Sequence, residues 1–100
     1  AGFTALTYAV LSGHERVVEL LLHHGAEINQ DNNGLTALMW AAHQNHPAAL
    51  HCLLRAGADT ELRSVSGLTA LQIAKAKGSA ECVRALEEHA AAKAAAERAA

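Results

Sequence analysis

Gly34-Leu35-Thr36-Ala37-Leu38 decides the fold, because the chain writes it three times. It stands first as Gly2-Phe3-Thr4-Ala5-Leu6 and last as Gly67-Leu68-Thr69-Ala70-Leu71. The opening glycines are 34 − 2 = 32 and 67 − 34 = 33 residues apart. Self-similarity at such a period marks a repeat architecture, in which each unit buries its apolar face by stacking on its neighbours. Nine residues after each Thr comes Gly13, Asn45 or Gly78, residue types that tolerate the left-handed conformation in which helices often end. Twelve residues further on, Gly25-Ala26-Glu27 and Gly57-Ala58-Asp59 open the next connection.

Between these marks each unit predicts two short antiparallel helices. Thr4, Thr36 and Thr69 are N-cap residues, whose hydroxyl accepts from the unpaired N–H groups of a first turn. The second helix of unit one carries Val17, Val18, Leu21 and Leu22 at helical spacing. Its counterparts are Ala49, Leu50, Leu53 and Leu54, then Cys82, Val83, Leu86 and Glu87. In the third unit the turning Gly is replaced by Ala90, and eight of residues 90–100 are Ala, the best helix former. The last helix is therefore predicted to run unbroken from about Ser79, some 20 residues or ~30 Å. Glu87 at an apolar register position fits a terminal unit. At the other end Leu6, Tyr8 and Val18 are expected to lie uncovered. That, and a start at Ala1 without an initiator Met, leads us to expect more protein, or a partner, there.

Composition bounds the rest. One hundred residues make one small domain, and 51% hydrophobic with 3% aromatic describes a core of Ala, Leu and Val. The residues that favour sheets are sparse, and 18% charged residues in so apolar a chain exclude a disordered tail. A net charge of −2 gives no reason to expect nucleic acid, and no apolar run approaches the roughly 20 residues of a membrane span. Cys52 and Cys82 fall within apolar helical stripes and read as buried, inert thiols, which places the chain in a reducing, intracellular setting. His43 and His46 are separated by the helix-ending Asn45, and His23-His24 point in different directions. No recognised metal spacing results, so neither metal nor cofactor is expected. The serines sit at loops and caps, and Glu87-Glu88 is the only carboxylate pair. The glycines are spent on turns rather than on a phosphate loop. No catalytic residue is expected, and the chain does not read as an enzyme.

The period, the T-x-L-x-x-A run at Thr4, Thr36 and Thr69, and the G-A-D-type turn resemble the ankyrin repeat over residues 2 to about 89. The resemblance implies an all-α solenoid of helix-turn-helix units joined by β-turn or hairpin finger loops, with a long C-terminal helix. It divides the chain into repeats at 2–33, 34–66 and 67–89, the last truncated, and an Ala-rich continuation at 90–100. The family's Pro after the Thr is Ala5, Ala37 and Ala70 here, and the His of its opening run is Thr7, Met39 and Gln72. The first connection, Ile28 to Asn33, is one residue short, which predicts a displaced finger. The loop Asp at Asp31 becomes Ser64, which predicts a weaker second turn. His14 and His46 match a His that opens the second helix and bonds between repeats.

The same resemblance implies a non-catalytic scaffold that binds a protein or peptide. Its recognition positions flank the loop Gly and end the first helix. Carried over, they are Phe3, Leu11 and Ser12 in unit one. In the first finger and unit two they are Gln30, Asn32, Asn33, Leu35, His43 and Gln44. In the second finger and unit three they are Arg63, Val65, Ser66, Leu68, Ala76 and Lys77. Met39 and Gln72 are placed on the exposed side of their helices. Phe3, Leu35 and Leu68 repeat one apolar choice, a ladder that either packs on neighbouring loops or faces a partner. Arg63, Lys75 and Lys77 add positive charge without a mapped acid, which is either a solvated basic face or a site for an acid-bearing partner. Trp40 reads as core. Asn29 matches a loop Asn that is hydroxylated in some family members, and otherwise reads as a turn-stabilising side chain. Two other functions stay open. The Ala-rich helix, with Lys93 and Glu97 at i, i+4, is a natural or engineered rigid linker or oligomerisation element, although it lacks apolar heptads. The other is an enzyme's regulatory subunit, in which case a larger parent chain should carry the catalytic motifs.

Overall fold

Each Thr of the repeated mark starts a helix in the computed structural model, which describes residues 4–99. The helices are α1 (Ala5–Leu11), α2 (Glu15–His23), α3 (Ala37–His43), α4 (Pro47–Arg55), α5 (Ala70–Lys77) and α6 (Ala80–Ala99). Thr4, Thr36 and Thr69 take extended backbone, and their hydroxyls accept from the N–H of Thr7, Met39 and Gln72. Gly13, Asn45 and Gly78 then turn the chain with φ of 73°, 57° and 70°. Pro47 opens α4, where the missing N–H is one that a first turn leaves unpaired anyway.

The helices form two layers. α1, α3 and α5 pack side by side as an inner row, and α2, α4 and α6 as an outer row behind them. Val10, Val18, Leu38, Leu50 and Leu53 are buried between the rows. Ala41, Ala42, Ala49 and Ala74 are buried as well. Their small side chains let helices this short approach closely enough to hold one another, since helices under a dozen residues are marginal alone.

Hydrogen bonds between units follow the same register. The first and third helices each leave terminal carbonyls unpaired. His46 Nε2–H donates to the Leu11 carbonyl at 3.0 Å. One unit later the same position is Ser79, whose hydroxyl donates to the Ala42 carbonyl at 2.8 Å. The Cys82 thiol reaches the Ala41 carbonyl at 3.8 Å. The bonding role expected of His46 is thus present, and Ser79 performs it in unit three.

The long last helix is also present. α6 has 20 residues, of which Cys82, Ala85 and Leu86 are buried, while residues 90–99 are exposed. Lys93 Nζ lies 3.6 Å from Glu61 Oε2 on the preceding connection. No Lys93–Glu97 ion pair occurs among the described residues.

The uncovered N-terminal face differs from expectation. Leu6 and Val18 belong to the core, and the exposed apolar groups are Tyr8, Val17 and Leu20. The repeat register gives the reason. Leu20, 57% exposed, occupies the place of Cys52 at 4% and Ala85 at 5%. Val17 occupies the place of the buried Ala49 and Cys82. In units two and three the preceding unit covers these positions. Val17→Lys and Leu20→Gln should therefore each change stability by less than about 0.5 kcal/mol. Ala49→Lys, at the register of Val17, buries an unpaired ammonium and should leave little folded protein. Urea unfolding of the three variants checks this, and a comparable loss in all three would contradict the stacking register.

Candidate binding surface

Two finger loops project beside the inner row. In the first, Asn33 and Gly34 take consecutive positive φ of 56° and 85°, the signature of a two-residue hairpin turn. Asn32 and Leu35 exchange backbone bonds across it at 2.8 and 3.3 Å. The Asp31 carboxylate accepts the Gly34 N–H at 2.7 Å. The second finger spends one residue more: Ser64 N–H donates to the Leu68 carbonyl and Gly67 N–H to the Ser64 carbonyl, both at 2.8 Å. The Ser64 hydroxyl takes the role of the Asp, accepting from Ser66 and Leu68 N–H at 3.2 and 3.3 Å. The short first finger is not detached. Val65 N–H donates to the Gly34 carbonyl at 2.9 Å, so the fingers are joined. At the base of the fingers, exposed Asn29 accepts the Asp59 N–H at 2.9 Å through its side-chain oxygen.

Two expected surface residues are buried instead. Met39 is 2% exposed. A helical side chain leans toward the N-terminus. At the third helical position it therefore folds back, and the Met39 sulfur accepts the Thr36 N–H at 3.4 Å. Asn32 is buried too, its side-chain oxygen accepting from the Thr4 N–H at 3.3 Å and from the hydroxyls of Thr4 and Thr7. It ties the finger to the start of α1 and is not free to meet a partner. Gln72 is exposed as expected, and its amide oxygen closes the cap of α5 on the Thr69 N–H at 2.9 Å. Lys75, taken as part of a basic face, pairs with Glu87 at 3.7 Å. Phe3 lies outside the described residues.

The remaining candidates divide by place. Leu35, His43, Ser66, Leu68 and Lys77 share one cleft between the second finger and helices α3 and α5. Asn33, Gln44, Arg63 and Val65 are exposed, the last at 82%. The Arg63 guanidinium donates to the Gly67 carbonyl at 3.1 Å, bracing its own finger. Gln30 lies apart, beside Thr4 and Leu21, and Leu11 is half-buried at the end of α1. Sequence reasoning missed the floor of the cleft, Trp40 and Ile73. Trp40 packs on the core as read, yet is half-buried, with its indole N–H donating to the Asn32 carbonyl at 3.3 Å. Its lack of a small side chain where the family has one was the available signal.

His43 stands against Trp40, ring centres 5.6 Å apart in an edge-on arrangement. Burial first, and the Lys77 ammonium second, hold its pKa below the ordinary 6.5. The folded chain therefore resists a proton that the unfolded chain accepts. The resulting stability is fully present above 6.5 and is lost as pH falls below it. Between about pH 7 and pH 5.5, the wild type should lose more stability than His43→Gln. Parallel losses in chemical denaturation would remove His43 from this role.

Burial pushes both thiols up, with Glu19 next in effect at Cys52 and Glu81 at Cys82, so neither is a ready nucleophile. Among the described residues no three His, Cys, Asp or Glu side chains converge as metal ligands. No helix among them is long and apolar enough to cross a membrane.

Comparison with known proteins gives one consistent result. The model of the family described as ankyrin repeats (3 copies) matches residues 1–64 and 38–98. The chain is 42% identical over 79 residues to the ankyrin repeat domain-containing protein SAT10 of Stachybotrys chartarum, covering 78% of this chain and 4% of that protein. It is 40% identical over 90 residues to human ankyrin repeat domain-containing protein 63, covering 85% and 24%. It is 38% identical over 81 residues to the E3 ubiquitin-protein ligase XBAT33 of Arabidopsis thaliana, covering 79% and 16%. The chain thus spans a quarter or less of the length of these relatives.

Proposed function

The chain belongs to the ankyrin repeat family, whose repeats are protein-interaction modules, and we propose that it binds a protein or peptide through its two fingers and the inner helix row. The partner presents an acidic segment, and the chain contributes surface rather than catalysis. The observation that carries this reading is a set of side chains the fold does not consume. Asn33, Val65, Ser66, Leu68 and Lys77 are exposed along one side, and Lys77 forms no ion pair among the described residues. The recognition unit spans the three repeats at 2–33, 34–66 and 67–89, and the reduced, buried thiols suit an intracellular setting.

Affinity capture with the intact chain, compared with the Leu68→Ala, Arg63→Ala, Lys77→Ala triple variant, tests the proposal. Specific partners should be lost from the variant while its melting temperature stays close to the wild type. Unchanged capture would place the binding surface elsewhere. A second reading has its own observation, the ten exposed residues 90–99 that α6 carries beyond its buried stretch. If they are an oligomerisation element, the chain is multimeric in light scattering and becomes monomeric without residues 90–100. A monomer in both forms leaves only a linker.

A further inference from the structure

We propose that the cleft floored by Trp40 and Ile73 is a side-chain pocket, which takes one apolar residue of an extended partner segment with an acidic residue beside it. This rests on the module reading above and specifies its ligand. Shape is the first ground. The cleft encloses about 270 Å³, with Leu35 and Leu68 among the residues that line it. Sites for drug-sized ligands begin at about 300 Å³, and this volume has room for a leucine, isoleucine or phenylalanine side chain. Two of the five apolar residues that line it, Leu35 and Leu68, belong to the repeated mark that also places Thr36 and Thr69. The pocket is therefore built by the repeat register and does not depend on a single mobile loop.

Polar chemistry at its edge supplies the second ground. His43 Nδ1 is buried and has no hydrogen-bond partner among the described residues. A buried nitrogen left unpaired in this way costs stability, and such groups in native proteins are normally satisfied by a ligand, a water or an ion. Here the atom belongs to a residue that lines the cleft. A small turn of the ring on binding lets a backbone N–H or C=O of the bound segment satisfy it, since Nδ1 of a neutral ring carries either a lone pair or an N–H. Charge is the third ground. Among the described residues Lys77 lines the same cleft without an ion-pair partner, whereas the neighbouring Lys75 is engaged by Glu87. The rim thus presents one available ammonium and no carboxylate, which selects an Asp or Glu next to the apolar anchor and repels a basic segment.

The test is selection of a random octapeptide display library on the full chain. The expected binders carry Leu, Ile or Phe adjacent to Asp or Glu. Synthesised peptides should shift the emission of Trp40, the only tryptophan in the chain. Replacing the anchor with Ser should weaken binding about tenfold or more, and Lys77→Ala about two- to fivefold, the latter loss shrinking at high salt. Leu68→Ser should abolish the emission shift while circular dichroism stays unchanged. Enriched peptides that are basic, or that lack an apolar anchor, would overturn the pocket. If such peptides are nevertheless lost on Val65→Ala or Asn33→Ala, the module reading stands and only the pocket falls. Peptides insensitive to every finger and cleft variant would sink both, and a library yielding no binders would sink the pocket.

Discussion

Leu50→Ala should destabilise the fold by about 2–5 kcal/mol, the largest effect expected of any conservative change. Leu50 is 0% exposed in α4 of the middle unit. Truncating it removes apolar contact and leaves a cavity, and the cost depends on how far neighbours can close in. Here they cannot close far. The middle unit is held from both sides, α4 touching α2 and α6 while α3 touches α1 and α5. Much of the core is alanine, Ala41, Ala42 and Ala49 among it, with no side-chain length to extend into a gap. Domains of this size retain only about 5–15 kcal/mol in total, so the loss is a large share. Equilibrium urea unfolding measures it. A loss under about 1 kcal/mol would mean that the two rows do not depend on the middle unit.

Gly34→Ala should produce the next largest effect among conservative changes, and it should be felt in both fingers. Gly34 has φ of +85°, where an L-residue costs about 1–2 kcal/mol. An added Cβ would also stand 2.6 Å from Val65 Cγ1 and 2.8 Å from Val65 Cβ. The Val65 Cβ is fixed to its backbone, which is itself bonded to the Gly34 carbonyl, so the second finger must move. Gly25→Ala separates the two causes, because Gly25 has φ of +90° and nothing within 4 Å of its Cβ position. Gly34→Ala should cost clearly more than Gly25→Ala, and adding Val65→Gly should recover the difference but not the common part. Equal costs at the two glycines would show that the fingers are not packed together.

The fold was legible because its punctuation is local. Thr4, Thr36 and Thr69 cap helices through bonds within their own turn, and Gly13, Asn45 and Gly78 end them through their own φ. Such marks survive without any knowledge of the neighbours. The surface was less legible, since a position that projects in one unit can turn inward in the next. Thr7, Met39 and Gln72 share a register. Thr7 bonds to Asn32, Met39 folds back on Thr36, and only Gln72 stays exposed. Asn32 and Val65 share a register too, yet one is buried and the other 82% exposed. The first finger closes from Asn32 to Leu35, which takes Asn32 into the pairing, whereas the second closes from Ser64 to Leu68 and leaves Val65 outside it. Long-range pairing, such as Lys75 with Glu87, and the concavity over Trp40 and Ile73 arise only when units are stacked. No single unit encodes them.

Amide hydrogen exchange of the full chain, alone and with a captured partner, tests the central claim most directly. A module that binds through fingers and inner row should show slowed exchange at residues 33–35, 64–68 and 72–77. The outer helices α2, α4 and α6 should exchange as they do in the free chain. Protection confined to those outer helices, or to the face formed by Tyr8, Val17 and Leu20, would contradict the account.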